Sequence, residues 1–181
     1  MKKNSILSLS ILTMILAGLF IPAQSKSQGK EDKIMGDSKA AQAAFIKTDP
    51  SMKNLFANSY GYVIFPNIGK GAVGVGGAAG NGIVYEKGKA IGKAKMRQVS
   101  VGFQFGGQAY REVIFLENKE ALDHFKDNKI EFAGQVSAIA AKSDASANSQ
   151  YRDGVQVFTE GKNGLMLEAA IGGQKFTFSA L

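Results

Sequence analysis

From Ala72 to Gly82 every second residue but none larger than alanine recurs: Ala72, Gly74, Gly76, Ala78, Gly80 and Gly82. The positions between and just beyond them hold Val73, Val75, Ala79, Ile83 and Tyr85. In an extended chain, alternate residues lie on opposite faces, so this pattern predicts a strand over 71–85 with one face stripped to methyl groups. Such a face lets another backbone, a helix or a large aromatic ring approach closely. A flexible glycine-rich loop is the alternative, and the β-branched residues argue against it. The chain has 22 glycines but 3 prolines in 181 residues, so its glycine excess belongs to strands and turns rather than to a linker.

Around this segment the apolar period changes from helical to alternating. Ile34, Ala40, Ala41, Ala44 and Phe45 predict an amphipathic helix over 30–46, ending near Thr48. Asp49-Pro50 then opens a short second helix through Met52, Leu55 and Phe56. Tyr62-Val63-Ile64-Phe65 predicts a buried strand stopped by Pro66, and 99–105 and 110–116 predict two more. Asn118 caps a helix carrying Ala121, Leu122 and Phe125. A strand over 131–141, a polar connection over 142–151 and a closing three-strand meander over 155–159, 165–171 and 175–179 complete the chain. A double glycine followed by glutamine occurs at 106–108 and again at 172–174, which predicts equivalent bends in two long strands. The expected fold is α+β: amino-terminal helices packed on a curled, mostly antiparallel, Gly-rich β-sheet that is barrel-like.

The amino terminus predicts an export signal. Lys2 and Lys3 precede an uncharged run from Ile6 to Ile21, followed by small residues at Ala23 and Ser25. The run is shorter than the ~20 apolar residues of a comfortable membrane span. Residues 1–25 are therefore expected to be a signal peptide, with cleavage after Ala23 or a retained anchor as alternatives, and residues 26–181 a single domain. The expected location is periplasmic or secreted, possible peripheral membrane association included. Without Cys, lipoprotein acylation is excluded and stability must come from packing.

Composition narrows the chemistry. With no Cys and His124 as the single histidine, thiolate metal sites, Cys nucleophiles and two-His sites cannot be built. Gly74-Val-Gly76-Gly-Ala-Ala79 matches a relaxed dinucleotide fingerprint, but Ile83-Val84-Tyr85 follows where a helix should start. No Gly-Lys pair is followed by Ser or Thr, so no phosphate-binding P-loop is present. His124 reads as a solvent-facing helical residue, and no carboxylate pair stands out. We expect no enzyme activity, no catalytic residues, no metal and no cofactor.

Charge is concentrated. Lys70, Lys87, Lys89, Lys93, Lys95 and Arg97 face the single acid Glu86 within one stretch, and the last five are all odd-numbered. On a continuous strand they project to one side, a stripe suited to anionic lipid head groups or to nucleic acid. A solvated strand edge, where lysines discourage pairing, is the bland alternative. Expected export and the lack of interleaved aromatics count against nucleic acid.

Several ordered motifs resemble the SYLF domain family: Tyr60-Gly-Tyr-Val-Ile-Phe-Pro66, the Gly-rich run Gly69 to Gly82 ending in Val84-Tyr85, Val101-Gly-Phe-Gln-Phe-Gly-Gly-Gln108, Val113-Ile-Phe-Leu116 and Gly164-Leu-Met-Leu-Glu-Ala-Ala170. The resemblance runs from about Lys30 to the carboxyl terminus. It implies a non-enzymatic lipid-binding module that takes phosphoinositide- or phosphatidic-acid-type phospholipids at a membrane. It also implies membrane contact through an amino-terminal amphipathic helix, here with Lys33 and Lys39, and through basic residues, here the stripe from Lys70 to Arg97. Phe158 to Met166 keeps only the outline of the family's late motif, and actin is not expected among the partners. The alternative function is a cell-envelope structural or protein-interaction domain without a specific lipid ligand.

Overall fold

The computed structural model describes residues 24–73, 75–100, 108–127, 139–140, 146, 150–161, 164–168 and 174–181. The expected signal peptide and the double-glycine bends lie outside these residues, apart from the first turn of the first helix and the two glutamines. The chain divides into two units after Asp32, and the unit from Lys33 onward carries the sheet. Its elements in order are α1 (Gln24–Thr48, shared with the first unit), α2 (Met52–Asn58), β1 (Gly61–Val73), β2 (Val75–Glu86), β3 (Lys89–Ser100), β4 (Gln108–Leu116), α3 (Lys119–Lys126), β5 (Ile139–Ala140), β6 (Val155–Gly161), β7 (Gly164–Glu168) and β8 (Gln174–Ala180).

The eight strands form one sheet in the order β5-β7-β6-β4-β1-β2-β3-β8, with every pairing antiparallel. The α+β expectation holds, and the barrel does not: among the described residues the sheet is open, with β5 and β8 as its edges. Its curl is nevertheless strong. Phe65 on β1 and Phe176 on β8 stand three strand steps apart, about 14 Å in a flat sheet, yet their ring centroids are 5.8 Å apart.

The glycine-rich alternation explains how the sheet can curl so far. Instead of one strand over 71–85, the chain turns between Val73 and Val75, which are Cα partners, so the pattern is shared by two arms of a hairpin. A Cβ built on Gly82 would lie 2.6 Å from the Ile64 carbonyl oxygen and 2.8 Å from the Phe65 ring. On Gly80 it would lie 2.8 Å from the Ile68 side chain. The stripped face therefore admits large side chains reaching over from β1, the close approach that its composition predicts.

Pro66 does not stop β1. The register shifts between Ile64 and Asn67 against β2 and between Phe65 and Ile68 against β4, and the proline sits in both irregularities, where its missing N–H leaves no ladder bond unmade. The shift also changes which residues face inward, so Val63, Phe65 and Ile68 all join one core.

Two cores lie on opposite faces of the sheet. On the concave face Phe65, Ile68, Met96, Ile114 and Phe176 pack with Ala121, Leu122 and Phe125 of α3. Asn118 caps α3 as expected, its side chain accepting from the Ala121 N–H at 2.9 Å. On the other face Tyr62, Ile64, Ile83, Tyr85, Phe115 and Phe158 are covered by Ala41 and Phe45 of α1 and Met52 and Phe56 of α2. Asp49 Oδ1 accepts from the Ser51 N–H at 2.9 Å within the turn ahead of α2, but the helix starts later than expected, at Met52, and Ser51 at its N-cap position makes no side-chain cap.

The closing strands depart from the expected meander. β6 and β7 form a hairpin, but β8 crosses to the far edge and pairs with β3. The reason lies in its alternation: Phe176 fills the concave core against Phe65 and Phe125, a place next to β7 would not provide.

Candidate functional site

The pairing of β3 with β8 assembles a cationic surface. Lys93 stands opposite Ile83 of β2, and Lys93, Lys95 and Arg97 thus take the face of the sheet that carries α1 and α2, while Ala94 and Met96 point into the concave core. Across β8 their partners are Ser179, Thr177 and Lys175. Lys95, Arg97, Lys175, Thr177 and Ser179 are exposed, and Lys93 is half-buried. Lys95, Arg97 and Lys175 make no ion pair with any described residue. Arg97 directly opposite Lys175 is a like-charge cross-strand pair, an arrangement that costs stability until an anion relieves it.

Lys175 is absent from the sequence-derived set because nothing local announces its place. It lies 78 positions from Arg97 along the chain and reaches it only through the crossover of β8. An isolated lysine between Gln174 and Phe176 carries no signal by itself.

The expected stripe is not continuous. Val84 pairs with Gly92 but Tyr85 with Ala90, so Ile91 is an extra residue in β3. A one-residue slip reverses the faces, which puts Lys89 on the side opposite Lys93 despite their shared odd numbering. Lys89 stands across from Glu86. Lys87 occupies the tight turn with Gly88, φ 49° and 77°, and its ammonium lies 5.1 Å from the centroid of the Tyr60 ring. Lys70 pairs with Ala78 and Gln108 on β1, away from β3. The structure thus brings together Lys93, Lys95 and Arg97, adds Lys175, and leaves Lys70, Lys87 and Lys89 elsewhere.

The helix expected at the membrane is differently engaged. Phe45 and Ala41 of α1 are buried against the sheet, and Ser38 accepts a 3.0 Å hydrogen bond from the Tyr85 hydroxyl. Its apolar stripe is therefore occupied by the protein's own core. Lys33 is exposed and paired with Asp37 at 2.7 Å, and Lys39 is exposed. Leu181 is the one large hydrophobic residue exposed among the described residues, 51% accessible at the end of β8, where its N–H donates to the Ile91 carbonyl.

A second feature lies on the same face of the sheet, over β1, β4 and β6. There a groove of about 640 Å³ opens beneath α1, lined by Asp37, Asn67, Arg111 and Glu160 among others. His124 is exposed on α3, 4.0 Å from Glu120, and belongs to neither feature. Among the described residues no group of three His, Cys, Asp or Glu could hold a metal ion, and no helix is long and apolar enough to cross a membrane.

Comparison with known proteins agrees with the motifs. Residues 97–179 match the family model described as Ysc84, Las17-binding protein actin regulator. The chain is also similar to Beta cell expansion factor A of Aeromonas veronii, 31% identical over 130 residues. That alignment covers 70% of this chain and 49% of the relative, so the chain spans about half the relative's length.

Proposed function

Because residues 97–179 belong to the Ysc84, or SYLF, family, we propose that the protein is a non-enzymatic module that binds anionic phospholipid at a membrane surface. The observation that carries this reading is the group Lys95, Arg97 and Lys175, exposed on two adjacent strands, with the half-buried Lys93 beside them. Each cation near an anionic surface contributes roughly 1 kcal/mol, so the three exposed ones together supply about 3 kcal/mol, between a hundredfold and a thousandfold in affinity. Attachment is electrostatic and peripheral, since α1 keeps its apolar stripe on the sheet and contributes at most exposed lysines such as Lys39. Phosphoinositide- or phosphatidic-acid-type head groups fit best, being the most highly charged. Export to the periplasm or beyond, read from residues 1–25, would place the surface beside envelope membranes. Actin is not among the proposed partners.

Liposome flotation tests the reading. Recovery should be high on vesicles containing phosphatidic acid or cardiolipin, low on neutral phosphatidylcholine, and should fall with salt. Equal recovery on anionic and neutral vesicles refutes it. A second reading is an envelope protein-interaction domain, in which the same exposed cations Lys95, Arg97 and Lys175 meet an acidic partner surface. Stoichiometric capture of one protein partner without vesicle binding would support that alternative.

A further inference from the structure

The groove beneath α1 sets an open cation and an open anion on its two sides. On the sheet side, Arg111 of β4 stands across from Glu160 of β6. Glu160 is committed to the protein: its Oε1 accepts from the Thr48 hydroxyl, and its Oε2, sealed from solvent, lies 3.4 Å from Arg111 Nε. That ion pair holds the guanidinium by its Nε edge, and the two Nη groups are taken by no described residue. The Arg111 side chain is 37% exposed, so a ligand in the groove can reach them. On the helix side, Asp37 gives its Oδ2 to Lys33 at 2.7 Å, while its Oδ1 has no partner among the described residues. Both members of that pair are exposed and one helical turn apart, a weak arrangement that leaves Asp37 open to a second donor.

We infer that this groove binds a short peptide by its two charged ends, the carboxylate on the Nη groups of Arg111 and the ammonium on Asp37 Oδ1. A planar fork of N–H groups matches a carboxylate, and a carboxylate oxygen accepts from an ammonium. The charge of the lining decides between a zwitterion and a simple ion. Lys33 and Arg111 balance Asp37 and Glu160, so an anion added alone would leave the groove net negative and a cation alone net positive. A ligand that carries both charges keeps the balance. Between the charged groups, Ala40, Ala109 and Gly161 leave room for side chains, and the exposed Asn67 offers a donor and an acceptor to a peptide bond. The volume of about 640 Å³ falls within the roughly 300–1,000 Å³ of small-molecule sites. This inference does not rest on the cationic surface of β3 and β8, and either can fail without the other.

The test is an NMR titration of the labelled protein with di-, tri- and tetra-alanine, which span roughly 7, 10 and 14 Å when extended. At least one length should give saturable shifts centred on Asp37, Asn67 and Arg111. For that length, acetylating the amine or amidating the carboxylate should each weaken binding about tenfold. Asp37→Asn, at an exposed position of α1, should weaken the free peptide about tenfold and leave the acetylated one unaffected, because both changes remove the same contact. Arg111→Lys keeps a cation beside Glu160 but loses the fork, and should weaken the free peptide while sparing the amidated one. No saturable shift at any length overturns the inference. So does a blocked peptide that binds as tightly as the free one, or an Asp37→Asn effect that persists with the acetylated peptide. Phosphoethanolamine carries the same two charges: if it competes with the alanine peptides and binds more tightly than all of them, the groove reads a lipid head group and the peptide assignment falls.

Discussion

The side-chain amide of Gln174 on β8 donates to the carboxylate of Glu112 on β4 at 3.3 Å, across the interior of the curled sheet. Four strand steps separate β4 from β8, about 19 Å in a flat sheet. Both residues are buried, Glu112 completely. The bond therefore closes one end of the concave face much as Phe65 and Phe176 close its middle, and it fixes the edge strand that carries Lys175.

Gln174→Leu should destabilise the protein by about 1–3 kcal/mol, because it leaves a buried carboxylate without this donor. Glu112→Gln should cost less, since an amide still accepts the bond and carries no charge to desolvate. Urea unfolding of the three proteins gives the order directly. Equal stability of Gln174→Leu and the wild type would show that the contact does not hold the edge.

Two glycine substitutions should have opposite signs. Gly82→Val drives a Cβ onto the Ile64 carbonyl oxygen and the Phe65 ring, and the backbone atom cannot yield, so a loss of at least ~2 kcal/mol is expected. A Cβ on Gly36 of α1 meets nothing within 4 Å, and Gly36→Ala should stabilise by roughly 0.5–1 kcal/mol through helix propensity and unfolded-state entropy. Thermal melts should move in opposite directions.

Stability should also fall in acid through Asp49. Burial pushes its carboxyl up, but hydrogen bonds from the side chains of Ser51 and Ser146 and from both their N–H groups outweigh this and hold it below the ordinary carboxylate value. A depressed folded-state pKa contributes stability that is present above the unfolded value, about 3.9, and lost as pH falls through the lower folded value. Asp49→Asn should therefore lower stability at neutral pH and flatten its decline below about pH 4. Denaturant midpoints from pH 2 to 7 would show an unchanged slope if the network does not form.

What was legible in the sequence was local. Asn118 announced α3 because a cap and the helix it starts are neighbours, and the small face of 72–82 announced close packing because alternation needs no partner. The break at Ile91 was not legible, since a bulge depends on which residues of β2 and β3 pair, and it reversed the side on which Lys89 lies. Arg97 meets Lys175, and Asp37 shares a groove with Arg111 and Glu160, only through the strand order and the docking of α1. No spacing between those residues encodes either meeting.

The bulge yields a sharp contrast for membrane binding. If the working surface is the outer face of β3 and β8, Lys95→Glu and Lys175→Glu should each weaken recovery on phosphatidic acid vesicles, since each reverses a charge on that face. A reversal changes the local charge by two, roughly 2 kcal/mol or about thirtyfold. Lys89→Glu changes the protein's net charge equally but acts on the opposite side of the bulge, next to Glu86, and should have a much smaller effect. Flotation at matched ionic strength distinguishes a surface from a mere net charge. Were all three variants to lose binding alike, the long-range field of a basic protein would suffice, and the arrangement of Lys93, Lys95, Arg97 and Lys175 would have no special part in the attachment.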